Sequence, residues 1–129
     1  MMTPDAAHPL VAAGRQATSE ASIQLSAGPQ YPPTDHRAFL EAGWPAVSYS
    51  MVDAAEVTAV LDAYAGKTPT PMPKVLKVIH TGDDTLAQLD ADAAARGVDA
   101  VERALRLWDA GHAARVADTA GAPPPASAR

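Results

Sequence analysis

The residue best suited to chemistry is His80, which stands between an apolar run and an acidic turn. The run reads VLKVI at residues 75–79, and the turn reads TGDD at residues 81–84. An imidazole that binds a metal must be held in one orientation, and nearby carboxylates commonly hold it. The pattern predicts a zinc-binding histidine at the end of a strand. It also fits a histidine that only closes a loop through hydrogen bonds.

A second polar group, Asp35 and His36, follows Thr34 at the predicted start of a helix. By themselves these residues are interpreted as a helix cap, because Thr and Asp satisfy the free N–H groups of a first turn. His8 and His112 also have no local partner pattern. The sequence contains no HExxH helix, no nucleophile-elbow serine and no phosphate-binding glycine loop.

Composition narrows the function class. The chain has 129 residues, 15 acidic and 10 basic side chains, and a net charge of -5. Nucleic acid is therefore not an expected partner, since phosphate binding needs clustered Lys and Arg. With no cysteine there is no disulfide or thiolate metal site. No apolar run predicts a membrane span and none resembles a signal peptide, so the chain as written is expected in the cytoplasm, its compartment otherwise unknown.

Hydrophobic periodicity predicts an α/β fold. Helices are expected at 7–20, 35–42 and 53–65, and short strands at 23–25, 46–52 and 75–79. A long amphipathic helix follows, with one apolar stripe formed by Ala94, Val98, Val101, Leu105, Trp108 and His112. We expect one domain over residues 1–118 and an Ala- and Pro-rich disordered tail over 119–129. Aromatic residues are only 5% of the chain, which suits a piece that packs against more protein.

Two segments together resemble a known family. TDHRAFLEAGWPAV at 34–47 resembles the (S/T)DHxxFxxAGxPA segment of the co-catalytic zinc aminopeptidases, the family of bacterial leucine aminopeptidases and glutaminyl cyclases. IHTGDDTL at 79–86 resembles its (I/Y)HTxxDTL motif. Order, spacing and the long last helix agree with that family. The resemblance covers residues 23 to about 114, which corresponds to the C-terminal portion of a family domain.

The resemblance implies a zinc-exopeptidase sheet sandwiched by helices, with a peptide as substrate. In such a site two zinc ions acidify a bridging water, and a glutamate acts as the general base. His80 would be the last metal ligand, and Asp35, His36 and Asp84 would lie in the second shell or the substrate pocket. The other ligands and the general base belong to segments that would precede residue 1, so this chain has no catalytic residue. Ile79 stands where some relatives have a tyrosine.

These features predict the C-terminal fragment or subunit of a zinc-dependent aminopeptidase, which hydrolyses N-terminal peptide bonds. One histidine cannot hold a catalytic zinc, which needs about three protein ligands, so the isolated chain is expected to be inactive. The chain would need a complementing subunit or an upstream portion, or it would form a homo-oligomer. The alternative is a non-catalytic interaction protein that retains the peptidase scaffold. The shared motifs do not separate peptide hydrolysis from glutaminyl cyclisation.

Overall fold

A computed structural model describes residues 1–3, 8–28 and 31–121. Over these residues helices dominate, and a small parallel sheet lies beside them. A short 3-10 turn at Leu86–Gln88 precedes the last and longest helix. In chain order the elements are β1 (Met2–Thr3), α1 (Pro9–Glu20), β2 (Ser26–Ala27), α2 (His36–Glu41), α3 (Val57–Tyr64), α4 (Lys74–Val78) and α5 (Ala91–Gly121).

The sheet is built around the first residues of the chain. β1 pairs in parallel with β2, with Met2 opposite Ser26 and Thr3 opposite Ala27. On its other side Met2 exchanges two backbone hydrogen bonds with Ser50, at 2.8 and 3.0 Å. The terminal amine donates to the Gln24 carbonyl at 2.9 Å, and its partial burial lowers the pKa of the amine. β1 is therefore held on both sides.

The core next to this sheet is small. Met2, Tyr31 and Val60 are buried together. Four partly buried aliphatic residues surround them: Val52, Val57, Leu61 and Val75. α3 contributes three of these seven residues, because Val57, Val60 and Leu61 fall on one face at helical spacing. The packing of α3 against β1 thus joins the middle of the chain to its first residues.

A second packed layer joins α1 to α5, and it is made of small side chains. α1 buries Val11, Gly14, Ala17 and Thr18. On α5, which packs against α1, the buried positions are Gly97, Ala100 and Ala104, and the Met51 side chain fills the space at Gly97. Small residues let two helix backbones approach closely, so dispersion contacts form along the whole line of contact. At the rim Arg103 donates to Glu20 at 3.0 Å, and this hydrogen bond lowers the pKa of the Glu20 carboxyl.

The predicted stripe of α5 is not its buried face. The helix forms, yet Val98 is 67% and Leu105 is 47% exposed, and Ala94 and His112 are exposed as well. The buried line passes one residue earlier, a rotation of about 100° around the helix. The buried line packs against α1 and, at Gly97, against the Met51 side chain, which would lie 2.5 Å from a Cβ at that position.

The predicted strand at 75–79 is wrong, since residues 74–78 form α4 and Ile79 donates back to the Val75 carbonyl at 3.0 Å. A strand needs a neighbour for its backbone groups. The sheet in the described residues has only β1 and β2. In that part of the chain residues 74–78 have no strand beside them, so their backbone groups bond within the segment and form a helix. For the same reason residues 46–52 provide only the bridge at Ser50. The strand expected at 23–25 lies slightly later, at β2.

The fold class is therefore a mixture of helices with a small two-stranded parallel sheet and a long C-terminal helix. α5 continues to Gly121, past the start of the tail predicted at 119. Residues 122–129 of that tail lie outside the described residues. In the described part of the chain, every helix is too short or too polar to cross a membrane.

Gly14 gives a test of the close approach around α1. A Cβ at this position would lie 2.6 Å from the Tyr49 Oη atom, and that hydroxyl donates to the Leu10 carbonyl at 2.7 Å. We expect Gly14→Ala to lower the free energy of unfolding by about 1 kcal/mol, because overpacking costs about 1–3 kcal/mol and alanine returns up to about 1 kcal/mol of helix propensity. Urea unfolding measures the change.

Tyr49→Phe is the matched background for this measurement, because it removes the hydroxyl that blocks the new methyl group. Gly14→Ala should then cost less than it does in the unmodified chain, or become stabilising. The coupling follows from a double-mutant cycle. Equal costs in the two backgrounds would contradict the proposed contact.

Candidate functional site

His80 lies in a tight turn that follows α4 directly. Its backbone φ is 63°, in the left-handed region that non-glycine residues enter infrequently and at some energetic cost. Asp84 stabilises this conformation by accepting the His80 backbone N–H at 3.2 Å. The Thr81 hydroxyl donates to the Val78 carbonyl at 2.7 Å and accepts the Asp83 N–H at 3.1 Å. The side chains of Asp84 and Thr81 thus organise the backbone of the turn.

This arrangement leaves the His80 side chain exposed. Within residues 1–3, 8–28 and 31–121, the Asp84 carboxylate contacts the backbone of His80 rather than its imidazole. The resemblance predicts Asp84 beside the metal site. The observed contact of Asp84 is with the backbone of His80, so Asp84 orients the residue that carries the ring without touching the ring. The turn therefore presents one imidazole outward on a hydrogen-bonded frame.

Asp35 and His36 lie at a different place, in an open cleft of about 580 Å³. His36 is buried, and its Nδ1 atom is 2.6 Å from the Thr34 hydroxyl. The edge of its ring meets Tyr31, with ring centres 5.7 Å apart. The cleft is lined by His8, Leu10, Thr34, Asp35, His36, Phe39, Pro45, Ala46, Val47 and Ser48.

The helix cap predicted at Thr34 and Asp35 does not form. Asp35 is the first flanking residue of α2, but neither side chain bonds to the N–H groups of its first turn. Thr34 uses its hydroxyl to hold the His36 ring instead. His8 does act as a cap, since its Nδ1 atom accepts the Leu10 N–H at 3.1 Å at the start of α1. Both histidines of the cleft therefore have one ring nitrogen in use.

A cluster of hydroxyl groups next to the cleft was not predicted from the sequence. The Tyr31 hydroxyl lies 3.0 Å from the Ser48 Oγ atom and also bonds to Ser50. Ser48 is itself a residue of the cleft wall. These residues are 17 and 19 positions apart in the chain, so no periodicity or motif could have paired them. Of this cluster Ser48 lines the cleft, where it stands with polar Thr34 and Asp35 beside apolar Phe39 and Pro45. Such a mixed wall suits a small amphipathic molecule.

The structure does not merge the two predicted groups into one centre. His80 and Asp84 are absent from the cleft wall that contains Asp35 and His36. Across the described ranges, no three His, Asp or Glu side chains stand close enough to hold a metal ion together. His112 stacks on Trp108, with ring centres 5.6 Å apart and planes 15° from parallel. The chain offers one exposed imidazole and, separately, a cleft with two histidines.

No protein-family model, curated protein or solved structure matches this chain.

Proposed function

We propose that this chain is the C-terminal portion of a co-catalytic zinc aminopeptidase. The observation that carries the proposal is the pair of segments at 34–47 and 79–86, which resemble two motifs of that family in residue type and order. Each segment alone has a plain structural explanation. The reaction to which the chain contributes is hydrolysis of an N-terminal peptide bond, with zinc activating the attacking water.

In this proposal His80 supplies one zinc ligand, and the geometry of its turn supports that role. The ring is exposed, and the backbone beneath it is held by the Asp84 carboxylate. Because this backbone is already ordered, binding of a metal to the ring would cost conformational entropy of the side chain alone. Asp35 and His36 form part of the substrate pocket, since both line the cleft next to apolar side chains.

The finer fold proposed is the end of a larger sheet sandwiched by helices. Large apolar side chains on the surface support it, because they need cover from further protein. Trp44 is 68% and Leu86 is 86% exposed, and Phe39 and Leu89 are also exposed. Large apolar side chains left on the surface mark an interaction site where they form a contiguous patch. Residues upstream of Met1 would provide the cover together with the remaining zinc ligands and the general base.

The experiment compares this chain with the same chain extended by its upstream reading frame. Both proteins are loaded with zinc, dialysed and analysed for metal, and both are assayed with an aminoacyl-4-nitroanilide. The extended chain should retain about two zinc ions and hydrolyse the substrate, whereas the 129-residue chain should do neither. Retention of zinc and hydrolysis by the short chain would contradict the proposal, and so would an upstream frame without His, Asp and Glu-Glu motifs.

The exposed apolar surface also supports a second function, that of a non-catalytic interaction protein. This hypothesis expects a chain that unfolds cooperatively, binds a protein partner and responds to no metal. Size-exclusion chromatography and a thermal melt, each with and without zinc, separate the two. An unchanged melt for the extended chain on zinc addition favours the interaction protein. Conversion of an N-terminal glutaminyl peptide to its cyclic product would point to the cyclase branch of the family.

A further inference from the structure

We propose that α5 pairs, antiparallel, with α5 of a second copy of this chain. The surface involved, here called the α5 seam, consists of Ala94, Val98, Val101, Leu105, Trp108 and His112. The seam stays open because α1 occupies the neighbouring small-residue face of the helix. Val98 is 67% and Leu105 is 47% exposed, while Val101 and Trp108 are half-buried. This inference does not depend on the proposed function.

The side chains of the seam repeat at alternate spacings of four and three, as in helices that pair side by side. In an antiparallel pair with its two-fold axis near residue 103, each residue of the seam meets a residue of the other copy, and each such layer joins a smaller side chain to a larger one. Val98 would face Trp108, and Val101 would face Leu105. Ala94 would face His112. A parallel pair would instead place Trp108 against Trp108 and Ala94 against Ala94, which leaves crowding in one layer and a gap in another.

The charges beside the seam allow this antiparallel arrangement. Glu102 flanks the seam near the axis, so the two copies would bring their Glu102 carboxylates towards each other. Each carboxylate already accepts hydrogen bonds from Arg106 of its own helix, at 2.9 Å from Nε and 2.6 Å from Nη2. The two ion pairs would form an alternating group across the axis. Asp109 lies on the same side of the seam, seven residues after Glu102, and would face the uncharged Ala95 of the other copy.

The size of the seam sets the strength of the association. Specific interfaces bury about 1,200–2,000 Å² in total, with roughly 20–30 residues from each side, and a seam of six residues from each copy is smaller than that. A reversible dimer is therefore expected. Most of its affinity would come from the buried aromatic ring of Trp108, the residue type that most often dominates an interface.

Sedimentation equilibrium of the full chain tests the dimer. The mean mass should rise with concentration from 13.3 kDa towards twice that value. Leu105→Glu should abolish the rise, and since Leu105 is already exposed, helix content by circular dichroism should not change. Ala110→Glu adds the same charge on the exposed face away from the seam and should still associate. A monomer at all concentrations, or equal association of both variants, would overturn the proposal.

Single cysteines test the direction of pairing, because the chain contains no other thiol. A mixture of Ala94→Cys and His112→Cys chains should form a mixed disulfide under mild oxidation. Ala94→Cys alone should remain uncrosslinked, since the two positions would lie about 27 Å apart along an antiparallel pair. Efficient self-crosslinking of Ala94→Cys would show a parallel pair and would overturn the proposed layers.

Discussion

Replacing Met2 with alanine should lower the free energy of unfolding by about 2–5 kcal/mol, the usual cost of removing a buried methionine side chain. Met2 is 1% exposed and lies against Tyr31 and Val60. Both sides of its backbone are hydrogen-bonded, to β2 and to Ser50, so β1 has little freedom to move inward and fill the space. The total free energy of unfolding of a small domain is only about 5–15 kcal/mol. The loss should therefore lower the urea midpoint of unfolding by a large amount.

Met72→Ala is the matched control, because the same side chain is 39% exposed there. Its effect should stay within about 0.5 kcal/mol, as for most surface substitutions. If the two variants unfold at the same urea concentration, the described packing of β1 against α3 is wrong. Truncation of Met1–Thr3 should be still more damaging, since it also removes the hydrogen bonds to Gln24, Gly28 and Ser50.

Replacing His80 with alanine in the chain extended upstream should lower kcat/KM by more than about 100-fold. The loss exceeds the 10- to 100-fold cost of changing a residue that only supports a ligand, because a ligand itself disappears. The zinc content after dialysis should fall in parallel. Asp84→Asn should have the smaller effect, about 10- to 100-fold, since Asp84 holds the backbone beneath the ring.

His112→Ala controls for the general effect of losing a histidine, because His112 stacks on Trp108 in α5, away from the turn. It should leave kcat/KM and the zinc content unchanged. A His80→Ala variant with normal zinc content and normal activity would remove His80 from the metal site. His80→Gly also removes the ring, but glycine accepts the left-handed φ at no steric cost. Comparing it with His80→Ala therefore separates the effect of losing the imidazole from the effect of backbone strain.

Sequence patterns predict all four of α1, α2, α3 and α5. In α1, α3 and α5 the apolar residues recur at helical spacing, whereas α2 was recognised by the glycine that follows it, Gly43. Periodicity predicts the wrong face of α5. Large side chains dominate a hydrophobicity pattern, whereas the observed buried face of α5 consists of Gly97, Ala100 and Ala104, with the Met51 side chain against Gly97. No local rule ranks Gly97 above Val98 as a buried position.

The strands illustrate a different difficulty. VLKVI at 75–79 has the composition of a strand, but whether it becomes one depends on a neighbour elsewhere in the chain. In the described structure no such neighbour is beside it, and α4 forms. The same dependence on distant partners hid the Tyr31, Ser48 and Ser50 cluster. The turn at His80 was partly predictable, since glycine and aspartates follow it, but the hydrogen bond from its backbone to Asp84 was not.

The packing of α1 on α5 has a consequence for the order in which the fold can form. Arg103 and Glu20 are 83 residues apart in the chain, and the small-residue faces beside them are similarly distant. Contacts of such long range must close a large loop before they contribute stability, which slows folding. During synthesis the apolar face of α1 therefore stays uncovered until α5 has left the ribosome at least as far as Ala104. Until then the nascent chain exposes surface to which a chaperone can bind.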